Sequence, residues 1–277
     1  MSVTAPEILE AIDQSYRDET ESRARKYIGA SVIGHRCDAA IAYNLRGFPN
    51  VEPDPQLKRI FALGHRLEAI VMADLKRAEA SLGVRFLPVD PVTSKPFEYL
   101  AHGGHIRAHT DGQVVAGDEV LVLEIKSMNQ HAFDRFRKYG VRVSHRHYYD
   151  QVTMYMGLSG CTRSLLVGYN KNRSVYHAET VAFDPFEWSF LHDRIHRVIN
   201  NEAEMIATDK SDWRCKGCFK RGVCWGEAEP HPECSACQYA KPLDSNRDWW
   251  CTHRNRRVSE DCHCSDYRQY RAKARSL

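Results

Sequence analysis

The chain has 277 residues, 43% of them hydrophobic and 27% charged, with 39 Lys and Arg against 36 Asp and Glu for a formal net charge of +3. That composition is ordinary for a protein with a real apolar core, and it excludes a disordered tail, a collagen-like chain and a small disulfide scaffold. So small a cationic excess does not by itself signal a polyanion partner, so a nucleic-acid reading has to rest on where the charge sits. No run approaches the roughly 18 apolar residues of a membrane span. The N-terminal stretch lacks an apolar signal-peptide core, so the expectation is a cytoplasmic protein with no membrane partner.

Residues 1–30 read as a polar helical lead-in. From Lys58 to Leu82 apolar residues recur at helical spacing, with Ile60, Leu63, Leu67, Ile70, Val71 and Leu75 on one face. The period then changes. His105–Val115 and Glu119–Lys126, joined by Ala116, Gly117 and Asp118, predict a hairpin. The continuous run Val120 to Leu123 suits a strand covered on both faces. Helices are predicted around Met128–Tyr139 and His147–Leu158, and a second hairpin over Arg163–Tyr169 and Ser174–Phe183. Asp184 and Pro185 supply an N-cap and a first-turn proline for a helix reaching about Ala207. Beyond Asp209 the composition shifts to Cys, Trp, Arg and Pro.

Three charged groups converge on the first hairpin. Asp111 sits at the end of the first strand, and Glu124 and Lys126 share one face of the second, with Ile125 turned the other way. An antiparallel partner can bring Asp111 beside them. Two carboxylates are the hard oxygen ligands that Mg²⁺ takes, and a lysine two residues on can stabilise developing charge. Hydrolysis of a phosphodiester fits that set. The pair also interrupts the end of a buried strand, where charge is costly unless used or paired. Downstream, Gln151 and Tyr155 lie four apart on one helical face.

Asp111, Glu124-Ile125-Lys126 and Gln151-x3-Tyr155, in that order, resemble the PD-(D/E)XK nuclease superfamily, in its RecB-type branch of lambda-type phage exonucleases and CRISPR-associated exonucleases. The resemblance spans residues 30–225. It implies an α/β fold, a restriction-endonuclease-like core whose central mixed sheet is flanked by helices. It implies Asp111 and Glu124 as ligands of Mg²⁺ or Mn²⁺, Lys126 as the catalytic lysine, and Gln151 and Tyr155 as the auxiliary motif that positions DNA and active-site groups. In Gly64-His65-Arg66-Leu67-Glu68, Glu68 matches the family's upstream acidic residue, a further metal ligand. Thr110 stands where the motif name has proline.

Charge supports a polyanion once it is localised. Between Ser127 and His147 lie Arg135, Arg137, Lys138, Arg142 and Arg146 against Asp134 alone, with His131, His145 and His147 in the same stretch and Tyr148 and Tyr149 after it. Cations linking the catalytic strand to the Gln–Tyr helix sit where DNA phosphates would pass, and such contacts give affinity without sequence preference.

Eight of the ten cysteines crowd between Cys215 and Cys264, and in a reducing compartment they read as metal ligands rather than disulfides. Cys215-x2-Cys218-x5-Cys224 needs a fourth ligand, and Cys37 is available. The pattern is similar to iron–sulfur RecB-type nucleases, which implies a [4Fe–4S] cluster bracing the chain ends. Zinc on the three late cysteines and a nearby histidine or cysteine is the competing reading. Cys234-x2-Cys237, Cys251 and then Cys262-x-Cys264 look like a small zinc ribbon, with Cys264 as fourth ligand and Cys262 or His253 as substitutes. Arg254, Arg256, Arg257, Arg268, Arg271, Lys273 and Arg275 surround it, so the tail is either a DNA contact or a metal-stapled end. Cys161 reads as inert.

The expected organisation is a lead-in over 1–30, a nuclease core with the first cysteine segment over 31–226, and a Cys-rich metal-bound module over 227–277. The expected function is that of a Mg²⁺- or Mn²⁺-dependent deoxyribonuclease, an exonuclease of recombination, repair or phage DNA processing. It would act on linear double- or single-stranded DNA in a bacterium or phage-infected host, with a recombination or phage protein as a further partner. A catalytically silent nucleic-acid-binding module working through the zinc tail, and a restriction-like endonuclease, are the two rival readings.

Overall fold

In the computed structural model, which describes residues 3–19 and 24–274, the lead-in contains one helix, α1 (Ala5–Asp18), opened by a capping box between Thr4 and Glu7. The rest of the predicted lead-in includes residues 20–23, and the basic tail includes Arg275; both lie outside the described residues. The chain then runs through β1 (Ile28–Gly29), α2 (Ala30–Ile33), α3 (Asp38–Leu45), α4 (Pro55–Leu82), β2 (Arg85–Leu87) and β3 (Glu98–Ala101). A 3₁₀ turn over His102–Gly104 leads into β4 (Ile106–His109), β5 (Gly112–Ala116), β6 (Glu119–Met128), α5 (Gln130–Ser144) and α6 (Arg146–Ser159). After these come β7 (Arg163–Asn170), β8 (Val175–Ala182), α7 (Pro185–Ile199), α8 (Arg221–Cys224), β9 (Ala240–Pro242), β10 (Trp249–Cys251) and β11 (Arg256–Val258). No helix among the described residues is long and apolar enough to cross a membrane.

The fold is α/β. Its main sheet is mixed and five-stranded, in the order β2-β5-β6-β7-β8, with only the β6–β7 pair parallel. The central strand β6 is buried from Leu121 to Ile125 because both of its faces are covered. Leu121, Leu123 and Ile125 pack with Val71 of α4, whereas Val122 joins the larger core that holds α3, α5 and α6. Side-chain alternation therefore turns Glu124 toward α6.

Several predicted boundaries shift. The long first strand does not run on from His105 to Val115. It breaks at Thr110 and Asp111, and β4 joins β1 and β3 in a second sheet while β5 stays with β6. Gly112 is needed at the break, since a Cβ there would lie 2.5 Å from the Leu87 carbonyl oxygen. Asp111 thus occupies a corner between sheets rather than a strand. α4 starts at Pro55, capped by Asp54, and its expected apolar face is split: Leu67 and Val71 are buried, but Ile60, Leu63 and Ile70 are exposed. α5 runs on to Ser144 through a kink at Gly140, where φ is +68°. α7 stops at Ile199 rather than Ala207, with Asn201 left-handed just beyond.

The Cys-rich segment packs onto the rest of the chain. Trp249, Tyr270, Cys234 and Cys237 share one apolar core with Ile28, Tyr43 and Phe48. At the centre of that contact lies Arg46, 1% exposed, in the turn after α3. Its guanidinium donates to the carbonyls of Ser235, Cys237 and Ala240, each at 2.8 Å, and to Asn201 Oδ1 at 2.5 Å. It also lies 3.9 Å from the Tyr270 ring centroid and 5.1 Å from that of Trp249. Burial pulls its pKa down to about 10, so it stays charged at neutral pH and supplies the fork of donors that these carbonyls need. Replacing Arg46 by Ala is expected to lower unfolding stability by about 2–4 kcal/mol in urea denaturation, because three buried carbonyls lose their donor. A loss under about 0.5 kcal/mol would show that this contact does not hold the C-terminal segment.

Candidate active site and cysteine centres

The sheet break and β6 bring the predicted acidic and basic groups to one place. Asp111 Oδ2 accepts from the backbone N–H of Ile125 at 2.7 Å, which ties the corner to β6 between Glu124 and Lys126. Glu124 is 1% exposed, and its Oε1 takes a hydrogen bond from Gln151 Nε2 at 2.9 Å and an ion pair from the Lys126 ammonium. The same Gln151 nitrogen lies 2.6 Å from the Tyr155 hydroxyl, which in turn donates to the His109 carbonyl at 2.6 Å. Strand, corner and helix are thus joined by one buried polar chain. The remaining carboxylate oxygen, Glu124 Oε2, is buried with no hydrogen-bond partner among the described residues.

Electrostatics sharpens the picture. Burial pushes Glu124 up to about 8, with Asp111 adding to the rise and Lys126 opposing it. Asp111 is also raised, by burial, against the pull of Lys126. Glu68, on α4, is raised by burial and then by Asp111, with His65 and Lys126 opposing the rise. Lys126 is held protonated by Glu124 and Asp111 in spite of its burial. Glu124 pairs with the Lys126 ammonium, while Asp111 and Glu68 act on it at longer range. The ligand oxygens of the three carboxyls do not all lie within 4.8 Å of one another. The unpartnered buried Glu124 oxygen is the hard donor that a divalent cation fits.

Tyr148 is a site residue that sequence reasoning noted only as an aromatic neighbour. Its ring centroid lies 5.0 Å from Lys126 Nζ, a cation–π contact, and its ring stacks on His145 at 5.3 Å. The signal was present, since Tyr148, Gln151 and Tyr155 fall at helical spacing on one face of α6. His147 is pulled down to about 4, by burial first and then by His145, Lys126 and Arg36, so it adds no positive charge near neutrality. The five predicted DNA-binding cations divide. Arg142 pairs with Glu187 at 2.6 Å and Asp184 at 3.4 Å, and Arg146 pairs with Glu187 and with Asp150 at 2.7 Å. Arg135, Arg137 and Lys138 on α5 are exposed, and of these only Arg137 has an acidic partner among the described residues, Asp134 at 3.6 Å.

The first cysteine set converges. Cys37, Cys215, Cys218 and Cys224 all line one small cleft, together with His35, Ile206 and Arg214. The Ile206 N–H points at Cys37 Sγ from 3.4 Å. Burial and the neighbouring thiols raise Cys215, Cys218 and Cys224, the last to about 12. Three thiols raised in this way, beside Cys37 in the same cleft, are a donor set that a cationic metal centre relieves, so these residues fit thiolate ligation. In the second set, burial first and then Cys262, Cys264 and Cys237 raise the Cys234 thiol to about 12, and the Cys234 N–H donates to the Cys262 carbonyl at 2.7 Å. Cys251 Sγ accepts from the Arg254 N–H at 3.4 Å. His253 instead stacks on Tyr239 at 4.9 Å and faces Asp266.

The raised Glu124 sets a pH dependence of fixed sign. Between an ordinary carboxyl value of 4.5 and about 8 the folded chain holds a proton that the unfolded chain releases, so this group's contribution to stability falls as pH rises through that window. Its slope is at most about 1.4 kcal/mol per pH unit. In EDTA, wild type is expected to lose more stability between pH 6 and pH 8 than Glu124→Gln, measured by urea denaturation at both values. Equal losses would show that Glu124 titrates normally.

No family model matches the chain, and no curated protein matches it. Among solved structures the chain is similar to an alkaline exonuclease, LHK-Exo, from Laribacter hongkongensis, at 16% identity and a TM-score of 0.45, covering 70% of this chain and 92% of that one. LHK-Exo in complex with dAMP gives 15% identity and a TM-score of 0.46 over the same shares. A further similar structure is that of SSO0001, at 14% identity and a TM-score of 0.43, covering 80% of this chain and 96% of that one. These are likenesses of fold, at an identity too low to carry residues across.

Proposed function

We propose that this chain is a divalent-metal-dependent DNA nuclease of the PD-(D/E)XK type, acting as an exonuclease on linear DNA in recombination, repair or phage DNA processing. The observation that carries the reading is Glu124, a carboxylate at 1% exposure that Gln151 and Lys126 hold through one oxygen while the other has no partner among the described residues. Asp111 and Glu124, with Glu68 beside them, would hold Mg²⁺ or Mn²⁺, and such an ion supplies activated water and neutralises phosphate charge. The chain's own groups do the rest. Lys126, kept protonated, faces the place where negative charge grows on the phosphoryl oxygens. Gln151 and Tyr155 fix the orientation of Glu124 and tie it to the Asp111 corner through the His109 carbonyl. Exposed Arg135, Arg137 and Lys138, rather than the paired Arg142 and Arg146, take the DNA phosphates.

The cysteine sets take structural roles in this reading. Cys37, Cys215, Cys218 and Cys224 hold a [4Fe–4S] cluster that fastens the first helices to the last segment. Cys234, Cys237 and Cys251 would hold zinc, with Cys264 as the fourth ligand and Cys262 as its substitute.

Lys126→Ala is expected to lower Mg²⁺-dependent degradation of linear DNA by at least about 10²-fold, with an unchanged circular dichroism spectrum. Undiminished degradation removes Lys126 from the chemistry. Cleavage of closed circular DNA at the rate of linear DNA would replace the exonuclease by an endonuclease. Cys37→Ser, purified anaerobically, is expected to lose bound iron and the visible absorption of a cluster. Zinc alone in the colourless wild type would overturn the iron–sulfur assignment.

A further inference from the structure

Three histidines used by none of these sites face one another where α7 meets the 102–104 turn. His192 and His196 lie one turn apart on α7, with ring centroids 4.4 Å apart, and His102 meets His196 edge-on at 5.4 Å. One ring nitrogen from each lies within 4.8 Å of the other two, the one such trio of His, Cys, Asp or Glu ligand atoms among the described residues. A tetrahedral ion with Zn–N bonds of about 2.05 Å needs nitrogens about 3.4 Å apart, a gap that small side-chain rotations close.

We propose that His102, His192 and His196 form a binding site for a divalent transition metal of the zinc class. Imidazole donors suit Zn²⁺, Ni²⁺ or Co²⁺ rather than Mg²⁺, whose site at Asp111 and Glu124 offers only oxygen. Three protein ligands leave a fourth position for water. The His102 turn is built to be held still. His102 has φ +47°, a left-handed conformation that side chains other than glycine rarely adopt. The Arg247 N–H donates to the Gly103 carbonyl at 2.8 Å, and a Cβ on Gly103 would come 2.3 Å from the Ser245 nitrogen. The C-terminal segment therefore presses the turn into shape. Metal held by this trio closes α7 onto the turn and, through the turn, onto residues 243–248. The site stands or falls independently of the nuclease reading.

The test uses the untagged full-length protein, loaded with Zn²⁺, dialysed against metal-free buffer and analysed for zinc. Wild type is expected to retain about one more zinc ion per chain than His102→Ala and than the double variant His192→Ala/His196→Ala. Wild type is also expected to gain zinc-dependent thermal stability that both variants lack. His102→Asn keeps a residue that tolerates the left-handed turn while removing the imidazole, and it is expected to match His102→Ala. Equal zinc in all proteins overturns the site. So does retention by the His102 variants with loss only in the double variant, because the helix pair would then bind alone.

Discussion

A carboxylate sealed into the end of a central strand is the constraint on which the rest of this molecule turns. Glu124 could sit at Leu123 or Ile125 only at the cost of an unpaired charge among aliphatic side chains. One residue between them, alternation aims it at α6, where Gln151 and Lys126 meet it. The surrounding architecture serves that meeting. The sheet break at Gly112 lets Asp111 turn back onto the Ile125 N–H, and the parallel β6–β7 pair obliges the chain to return through α5 and α6, which delivers Gln151 and Tyr155. A partly satisfied buried carboxylate raises the free energy of the folded chain, and a cation relieves it, which is why strain in this place reads as function rather than as a packing error.

The second organising contact is Arg46. A guanidinium with no carboxylate partner among the described residues, surrounded by carbonyls and two aromatic rings, docks the Cys-rich segment on α3 and the apolar core behind it. The cleft lined by Cys37 and the late cysteines closes the same seam from another side. Early and late parts of the chain are thereby fixed to each other by polar and thiol contacts, while the strands between them carry the acidic site.

Much of this was legible in the sequence, because its signals are local. The Asp184–Pro185 start of α7, the β7–β8 hairpin and the alternation of Glu124, Ile125 and Lys126 each follow from spacing along a few residues. What failed needed tertiary knowledge. The run from His105 to Val115 has strand composition throughout, so nothing local marks Thr110 and Asp111 as the point where it leaves one sheet for another; the close approach of Leu87 does. The apolar face of α4 mixed residues of the core with exposed ones, since periodicity reports amphipathicity and not which half of it meets the sheet. The ion pairs of Arg142 and Arg146 with Glu187 were not legible, because that partner lies about forty residues further along the chain. Arg46 gave no signal at all, since its partners are mainly backbone carbonyls.

The most direct measurement of the central claim is a crystal structure grown with Mn²⁺, with its anomalous signal mapped. An ion bonded to Glu124 Oε2 and to an Asp111 oxygen, at about 2.0–2.2 Å, is the predicted result. Manganese bound elsewhere, with both carboxylates left hydrogen-bonded only to protein, would contradict it.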